Sequence, residues 1–183
     1  MIPTPLPALP WQRTGNHWVS LPCIHPRDGS IHVLGVLHRG ARGAVEFAGH
    51  ERFADGTGPA LARLAFTVDG TAQPLAPNGL AWELAGEWLP TFTGSAGAVL
   101  VRGTVFAPYG RDADTAGVVY AMSLENRGAA PVRLGVALEG ELGHRQLRVR
   151  SASTFADPHR AMRTADETVV LKGTALPGLV ALA

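Results

Sequence analysis

The chain has 183 residues, a formal net charge of +1 at neutral pH and a hydrophobic fraction of 46%. This length suits one domain, and the apolar content is sufficient for a buried core, which argues against wholesale disorder. The arginines are dispersed and form no basic patch, so nucleic acid is not an expected partner. The 22 glycines and 14 prolines are typical of many short strands joined by turns.

The N-terminal segment, residues 1–15, predicts an extended, proline-rich arm of polyproline type. It lacks a positively charged start, and its prolines interrupt any apolar helix, so we do not expect a secretory signal. No run of the sequence reaches the roughly 18 apolar residues that span a bilayer. We therefore expect a cytoplasmic protein without a membrane partner.

Two Asp-Gly pairs, at positions 28–29 and 69–70, predict β-hairpins. Each follows an apolar segment, residues 17–25 in the first case and residues 61–68 in the second. Asp-Gly after an apolar strand is a strong turn signal because both residues tolerate the positive φ that a tight reversal needs. Residues 31–37 return as the second strand of the first hairpin.

Residues 80–89 fit two interpretations. Trp82, Leu84 and Trp88 recur with the period of a strand, whereas Leu80, Leu84 and Trp88 have helical spacing. The glycines before and inside the segment, and the strands predicted on either side of it, favour a strand.

The strongest β pattern lies in the middle of the chain, where residues 118–125 and 132–139 both alternate between apolar and polar side chains. This period of two predicts strands with one buried face. Asn126 and Gly128 between them are typical of a reversal, so we predict that the two segments pair as an antiparallel hairpin. The predicted buried face consists of Val118, Tyr120, Met122, Leu124, Val132, Leu134, Val136 and Leu138.

Three later segments, residues 146–151, 161–164 and 168–172, are each short enough to be a strand. The apolar residues 176–183 indicate either a final strand or a chain that is a fragment of a longer protein. The whole pattern predicts an all-β fold over residues 1–183, a large antiparallel two-sheet β-sandwich with very little helix.

The single cysteine and the histidines give no metal or redox site. Cys23 alone cannot form an intramolecular disulfide or a multi-thiolate zinc site, and we expect a small buried side chain. His32 and His38 share strand parity but lie about 20 Å apart along an extended strand. We therefore predict no metal and no cofactor.

Two acidic pairs have a catalytic or metal-binding interpretation and a simpler one. Glu139 and Glu141 would project from one face of a strand, and paired carboxylates divide acid and base roles in glycoside hydrolysis when a cleft separates them. Two carboxylates on one strand more simply face water. Asp112 and Asp114 offer oxygen ligands for Ca²⁺, but no nearby acid completes the six or more ligands. The sequence therefore indicates no catalytic residue.

Four tryptophans, Trp11, Trp18, Trp82 and Trp88, are candidates for ligand binding. Aromatic faces stack on the C–H faces of sugar rings, and core packing is the competing explanation for each. Trp82 and Trp88 are the predicted ligand-binding pair, because strand parity places both on one face.

Three segments resemble the N-terminal β-sandwich of bacterial glycoside hydrolases and phosphorylases that have an (α/α)6-barrel catalytic domain. They are TVFAPYGRD (104–112), YAMSLENRG (120–128) and PVRL (131–134). Glycogen-debranching-like enzymes and the cellobiose and chitobiose phosphorylases have this arrangement. In that family a strand ends in Asn-x-Gly or similar, and the next begins with Pro-Val and alternating apolar residues. The resemblance covers about residues 99–150 and implies a galactose-mutarotase-like supersandwich.

The resemblance implies a non-catalytic β-sandwich domain of a carbohydrate-active enzyme. The family's catalytic carboxylates lie on a helical barrel that these residues do not include, so none is assigned to this chain. The implied partners are carbohydrate and the helical catalytic domain of the same parent chain. Two alternatives stay open: a stand-alone carbohydrate-binding module that uses Trp82 and Trp88, and a small mutarotase-like sugar enzyme in which His and Glu converge in a concave site.

Overall fold

The computed structural model describes residues 12–38, 43–50 and 58–148 and four strands beyond them. These residues form sixteen β-strands and one short 3-10 turn, Gly110–Asp112. In chain order the strands are β1 Gln12–Gly15, β2 Val19–Ile24, β3 Ile31–His38, β4 Gly43–Ala48, β5 Arg63–Val68, β6 Thr71–Gln73, β7 Ala81–Ala85, β8 Leu89–Ala96, β9 Val99–Phe106, β10 Val119–Asn126, β11 Leu134–Glu139, β12 His144–Arg148, β13 Ala152–Ala156, β14 His159–Arg163, β15 Val169–Gly173 and β16 Leu179–Leu182. The predicted all-β class is confirmed.

The strands are divided among four sheets. The largest has the order β1-β2-β3-β4-β12-β13, and a four-stranded sheet has the order β10-β9-β8-β7. Two three-stranded sheets have the orders β11-β5-β6 and β14-β15-β16. Neighbouring strands run antiparallel in each sheet, as predicted. In the part of the chain that the structure describes, no helix is long and apolar enough to cross a bilayer.

The core packs side chains from three of these sheets against one another, which gives the sandwich-like layering. The six-stranded sheet supplies Ile24 and Ile31, the three-stranded sheet β11-β5-β6 supplies Phe66, and the four-stranded sheet supplies Phe92 and Val105. All five are buried. Facing sheets pack their apolar sides together in this way because exposing either apolar side to water is unfavourable.

The predicted hairpin between residues 118–125 and 132–139 is wrong. β10 pairs with β9 along its whole length, and β11 pairs with β5 in a different sheet. The segment from Asn126 to Gly128 therefore starts a crossover between sheets. Its reversal is stabilised by the Asn126 side chain, whose Oδ1 accepts from the Gly128 amide at 2.9 Å. Side-chain alternation predicts which face of a strand is buried but does not select its neighbour, and this caused the error.

The buried faces of β10 and β11 are the predicted ones. The side chains that pack against the core from these two strands are Tyr120, Met122, Leu134 and Leu138. Leu124 and Val136 have the same parity, yet they are 41% and 44% exposed. Among the strands that the structure describes, each of these two residues lies on the end strand of its sheet.

The local predictions from turn residues agree with the structure. Gly29 has a φ of +69° between β2 and β3, and Asp69 and Gly70 have φ values of +50° and +79° between β5 and β6. The ambiguous residues 80–89 contain β7, a turn at residues 86–88 and the start of β8. A strand rather than a helix is therefore confirmed, but this strand ends at Ala85 and Trp88 lies in the turn.

The predicted proline-rich arm is described only at its end. Residues 1–11, including Trp11, lie outside the described residues. Gln12–Gly15 forms β1, which pairs antiparallel with β2 at the edge of the six-stranded sheet. The last part of the arm is therefore extended backbone within a sheet.

Candidate functional site

A compact group of polar side chains occupies the β2–β3 turn and the start of β3. Asp28 Oδ1 accepts hydrogen bonds from the Ser30 amide at 3.0 Å and from Ser30 Oγ at 2.7 Å. His32 Nε2 lies 3.1 Å from Ser30 Oγ, and His25 Nδ1 lies 3.4 Å from Asp28 Oδ1. The group therefore brings together a serine, an aspartate and two histidines, none of which sequence reasoning selected as a site.

The turn itself explains why these side chains meet. The Gly29 amide donates to the His25 carbonyl at 2.9 Å, and the His25 amide donates to the Ser30 carbonyl at 2.8 Å. The Asp28 side chain stabilises the turn through its hydrogen bonds to Ser30, as an aspartate in a turn commonly does. The signal for the turn was present in the sequence as Asp-Gly, but the position of His32 depends on how β3 packs.

The order of the hydrogen bonds differs from that of a hydrolytic triad. In a triad the histidine stands between the carboxylate and the serine and accepts the serine proton. Here Ser30 stands between Asp28 and His32. Because a carboxylate only accepts, Ser30 donates its proton to Asp28 and accepts from His32 Nε2. Ser30 is only 1% exposed, so a substrate does not reach its hydroxyl. This arrangement supports the turn and does not activate a nucleophile.

Burial controls the protonation of this group. The pKa of His32 is lowered by burial and further by the nearby His25, while Asp28 opposes the shift. The rings of His25 and His32 lie 5.5 Å apart. His32 is therefore held in its neutral form, which keeps one ring nitrogen as the donor to Ser30.

Tyr120 joins this turn to the opposite layer. Its hydroxyl donates to the Gly29 carbonyl at 3.0 Å. Burial, and then the negative charge of Asp28, raise the pKa of Tyr120 well above its usual value. The phenol therefore stays protonated and serves as a fixed donor rather than as an acid or base.

The structure places the predicted tryptophan pair in two different environments. Trp82 lies on β7 and packs against the core, with its Nε1 donating to the Pro26 carbonyl at 2.6 Å. Its ring centroid is 5.4 Å from that of Phe92. Trp88 lies in the turn between β7 and β8 and is 52% exposed. The parity argument does not apply to a turn residue, and sugar binding by the pair stays a prediction.

The exposed ring of Trp88 has a different aromatic neighbour. Its centroid is 4.7 Å from that of Tyr109, with the planes at 89°, and the ring of Phe106 lies 5.8 Å from Tyr109 at 61°. We call Trp88, Tyr109 and Phe106 the aromatic cluster. Sequence reasoning missed Phe106 and Tyr109, because they lie on β9 and in the loop after it, far along the chain from Trp88.

The predicted carboxylates line a shallow cleft of about 220 Å³. Glu139 ends β11, and its Oε2 accepts from Arg63 Nε at 3.1 Å and from Nη2 at 3.0 Å. Glu141 follows the strand, and its amide donates to the Ala60 carbonyl at 3.1 Å. The cleft thus contains one solvent-exposed ion pair and one further exposed carboxylate.

The loop containing Asp112 and Asp114 contacts the β1–β2 loop. Asp114 Oδ1 accepts from Trp18 Nε1 at 3.2 Å and lies 3.1 Å from His17 Nδ1. Among the described residues, no group of three or more His, Cys, Asp or Glu side chains is placed to hold a metal ion. The predicted burial of Cys23 concerns a side chain outside the described part of the structure.

Comparison of the chain with protein families, with curated proteins and with solved structures finds no match. Strand pairing and core packing within this chain define its all-β fold. The similarity of residues 99–150 to the N-terminal β-sandwich of certain glycoside hydrolases and phosphorylases stays a prediction.

Proposed function

We propose that this chain is a non-catalytic β-sandwich domain of a carbohydrate-active enzyme, a glycoside hydrolase or phosphorylase, and that it packs against a helical catalytic domain of the same parent protein. The enzyme class comes from the resemblance of residues 104–134. The structural observation that supports a packing partner is a set of exposed apolar side chains. They lie on end strands of the sheets and have the parity of core residues.

Three side chains form this set. Leu124 on β10 lies opposite Val101, and Val136 on β11 lies opposite Phe66. Val101 and Phe66 are fully buried. Leu124 and Val136, which lie opposite them, are therefore on the core-facing side of their strands. Leu84 on β7 likewise lies opposite the buried Pro90 but is itself exposed.

These exposed positions favour a further domain as the covering element. Burying one leucine or valine side chain contributes about 1.5–3 kcal/mol to stability. A leucine or valine that stays exposed on an end strand does not make this contribution. End strands also present unpaired backbone N–H and C=O groups, and proteins usually cover or blunt such edges. A second domain that packs on β10 and β11 would remove both costs.

The polar group at the β2–β3 turn fits a supporting role better than a catalytic one. Ser30 is closed to solvent, its proton is committed to Asp28, and Tyr120 ties the turn to the core. Buried polar networks of this kind favour one arrangement of a fold.

The first test is the reading frame of the gene beyond Ala183. The proposal expects it to continue into a long series of amphipathic helices. A native stop codon directly after Ala183 would contradict it.

The second test uses the full-length protein. We expect Leu124→Asp to lower its melting temperature more than it lowers that of residues 1–183 alone, because only the full protein buries Leu124. Val119→Asp is the matched control, since Val119 is an exposed residue of the same strand with the opposite parity. Equal effects of Leu124→Asp on both proteins would argue against domain packing at β10.

A carbohydrate-binding module is the second candidate function. The observation that favours it is the aromatic cluster, in which Trp88 and Tyr109 are 52% and 49% exposed. Both functions place the chain in a carbohydrate-active protein, and they differ in whether its own surface holds a sugar.

A further inference from the structure

The aromatic cluster lies at one end of the outer face of the four-stranded sheet. Phe92 on β8 and Val105 on β9 are buried and point into the core. Their strand neighbours Thr91, Thr104 and Phe106 therefore point to the opposite, solvent-facing side, because successive side chains alternate. Phe106 thus links the aromatic cluster to the outer face.

A row of hydrogen-bonding side chains runs beside the cluster. Thr91 pairs with Glu83 on β7 on one side and with Thr104 on β9 on the other. The three side chains share the outer face on adjacent strands and span about 10 Å at the usual strand spacing. One residue pair along the sheet separates this row from Phe106, so ring faces and hydroxyls lie next to each other.

The hydroxyl oxygens in this row are held in place and keep acceptor capacity. Thr104 Oγ1 donates to the Pro90 carbonyl at 2.6 Å, and Thr91 Oγ1 donates to the Glu83 carbonyl at 3.3 Å. A hydroxyl has two lone pairs, so each of these oxygens still accepts from a ligand. The exposed Glu83 carboxylate adds a stronger acceptor.

The Trp88 indole is fixed by the turn beneath it. Gly86 and Glu87 have φ values of +59° and +72°. A Cβ on Gly86 would lie 3.5 Å from Trp88 Nε1, which shows that the indole packs directly over this glycine. A left-handed glutamate costs on the order of 1 kcal/mol, and the tight turn between β7 and β8 requires this conformation. The contact with Gly86 therefore limits the side-chain conformations of Trp88, so that binding a ligand costs little conformational entropy.

The charged side chains nearest to Trp88 along the chain disfavour a polyanion, while the exposed Arg111 lies two residues after Tyr109. Glu83 and Glu87 are both exposed and flank Trp88 along the chain. Their negative charge repels phosphate, whereas carboxylates accept hydrogen bonds from the many hydroxyls of a neutral sugar. The combination of exposed ring faces with hydroxyl and carboxylate acceptors matches an oligosaccharide.

We propose that Trp88 and Tyr109, whose rings stand at 89° to each other, bind the apolar C–H groups of a neutral oligosaccharide, each ring against a different part of the sugar. The sugar hydroxyls extend over the row of Glu83, Thr91 and Thr104. This inference rests on the proposed function and adds a location and a ligand class to it. It replaces Trp82 as the partner of Trp88, since the indole of Trp82 is committed to the core and to Pro26.

The test is isothermal titration calorimetry with cellohexaose, maltohexaose, xylohexaose and chitohexaose. At least one of these four neutral oligosaccharides is expected to bind. Trp88→Ala and Tyr109→Ala are each expected to weaken that binding by about tenfold, which is what loss of one stacking contact amounts to. Trp88→Phe keeps a ring face and is expected to retain part of the affinity. Leu37→Ala, which removes an exposed apolar side chain from the six-stranded sheet, is expected to leave it unchanged.

Two results would overturn the inference while leaving the domain role intact. The first is binding of an oligosaccharide that Trp88→Ala and Tyr109→Ala do not weaken, since the sugar then lies elsewhere. The second is no binding to any of the four probes. If the chain then self-associates in sedimentation velocity and Trp88→Ala abolishes this, the aromatic cluster is an interface between copies of the chain. The reading frame beyond Ala183 would still decide the domain role in either case.

Discussion

The hydroxyl of Tyr120 donates a hydrogen bond of 3.0 Å to the backbone carbonyl of Gly29. Tyr120 lies on β10 of the four-stranded sheet, and Gly29 lies in the turn between two strands of the six-stranded sheet. The bond therefore connects two layers across the core. It also anchors the turn in which Asp28, Ser30 and His32 are hydrogen-bonded to one another.

Removal of this hydroxyl should destabilise the fold measurably. We expect Tyr120→Phe to lower the free energy of unfolding by about 1–2 kcal/mol, because the buried Gly29 carbonyl loses its donor. Urea denaturation followed by circular dichroism measures the change. Tyr109→Phe is the control, since Tyr109 is half-exposed, and it should stay within about 0.5 kcal/mol of the wild type. Equal losses in the two variants would contradict a specific role for the interlayer bond.

Alkaline pH should unfold the protein through Tyr120. Burial and the charge of Asp28 raise the pKa of Tyr120 in the folded state, so the folded chain holds a proton that the unfolded chain releases. Its contribution to stability is complete below about pH 10 and is lost as the pH rises further.

Phenolate absorbance measures this effect cleanly in Tyr109→Phe, because Tyr120 is then the only tyrosine. We expect the phenolate to appear together with the loss of the β-sheet circular dichroism signal. Ionisation that precedes unfolding would show that the hydroxyl is accessible in the native state.

Acid should also weaken the fold, through His32. Its pKa is lowered in the folded state, mainly by burial and also by His25, so the unfolded chain binds a proton more readily. The stability that neutral His32 contributes is present above about pH 6.5 and falls as the pH drops toward its folded pKa.

Urea denaturation between about pH 7 and about pH 5 tests this prediction. His32→Gln should reduce the slope of stability against pH. His17→Gln is the matched control, because the His17 side chain is largely exposed. If His17→Gln reduces the slope as much as His32→Gln does, the buried histidine is not the responsible group.

Asn16 joins two loops, and its loss should be costly. Its Nδ2 donates to the carbonyls of Pro108 and Thr115 at 3.0 and 2.7 Å, and its Oδ1 accepts from the amides of Trp18 and Val19. We expect Asn16→Asp to lower the free energy of unfolding by about 1–3 kcal/mol, because a carboxylate then faces two carbonyl oxygens.

The matched control for this variant is Asn126→Asp. Asn126 makes similar bonds to Ala130 and Gly128 on the exposed surface, so a smaller loss is expected there. Chemical denaturation of both variants measures the difference. Since Asn16 holds the loop that carries Tyr109, Asn16→Asp should also weaken any oligosaccharide binding to the aromatic cluster.

Local features of the fold were predictable because they depend on neighbours in the chain. The reversal at Gly29 and that at Asp69-Gly70 follow from which residues tolerate positive φ. The inward orientation of Tyr120 and Leu134 follows from a period of two. None of these conclusions needs knowledge of a distant segment.

The candidate sites were less predictable for a related reason. Trp88 is recognisable in the sequence, but its contact with Tyr109 joins a β7–β8 turn to a loop beyond β9. Ser30 and His32 carry no distinctive spacing, and they become a closed polar group only when β3 is buried between neighbours.

The sequence by itself determined that this chain is built of antiparallel strands, where several of its turns fall and which side of each central strand is apolar. Only the tertiary structure decided that β10 pairs with β9 while β11 pairs with β5, and that Trp88 stands beside Tyr109 rather than Trp82. The physical reason is that backbone conformation and alternation are local properties, whereas a strand's hydrogen-bonding edge accepts any partner of suitable register. The choice between partners is made by the packing of the whole core.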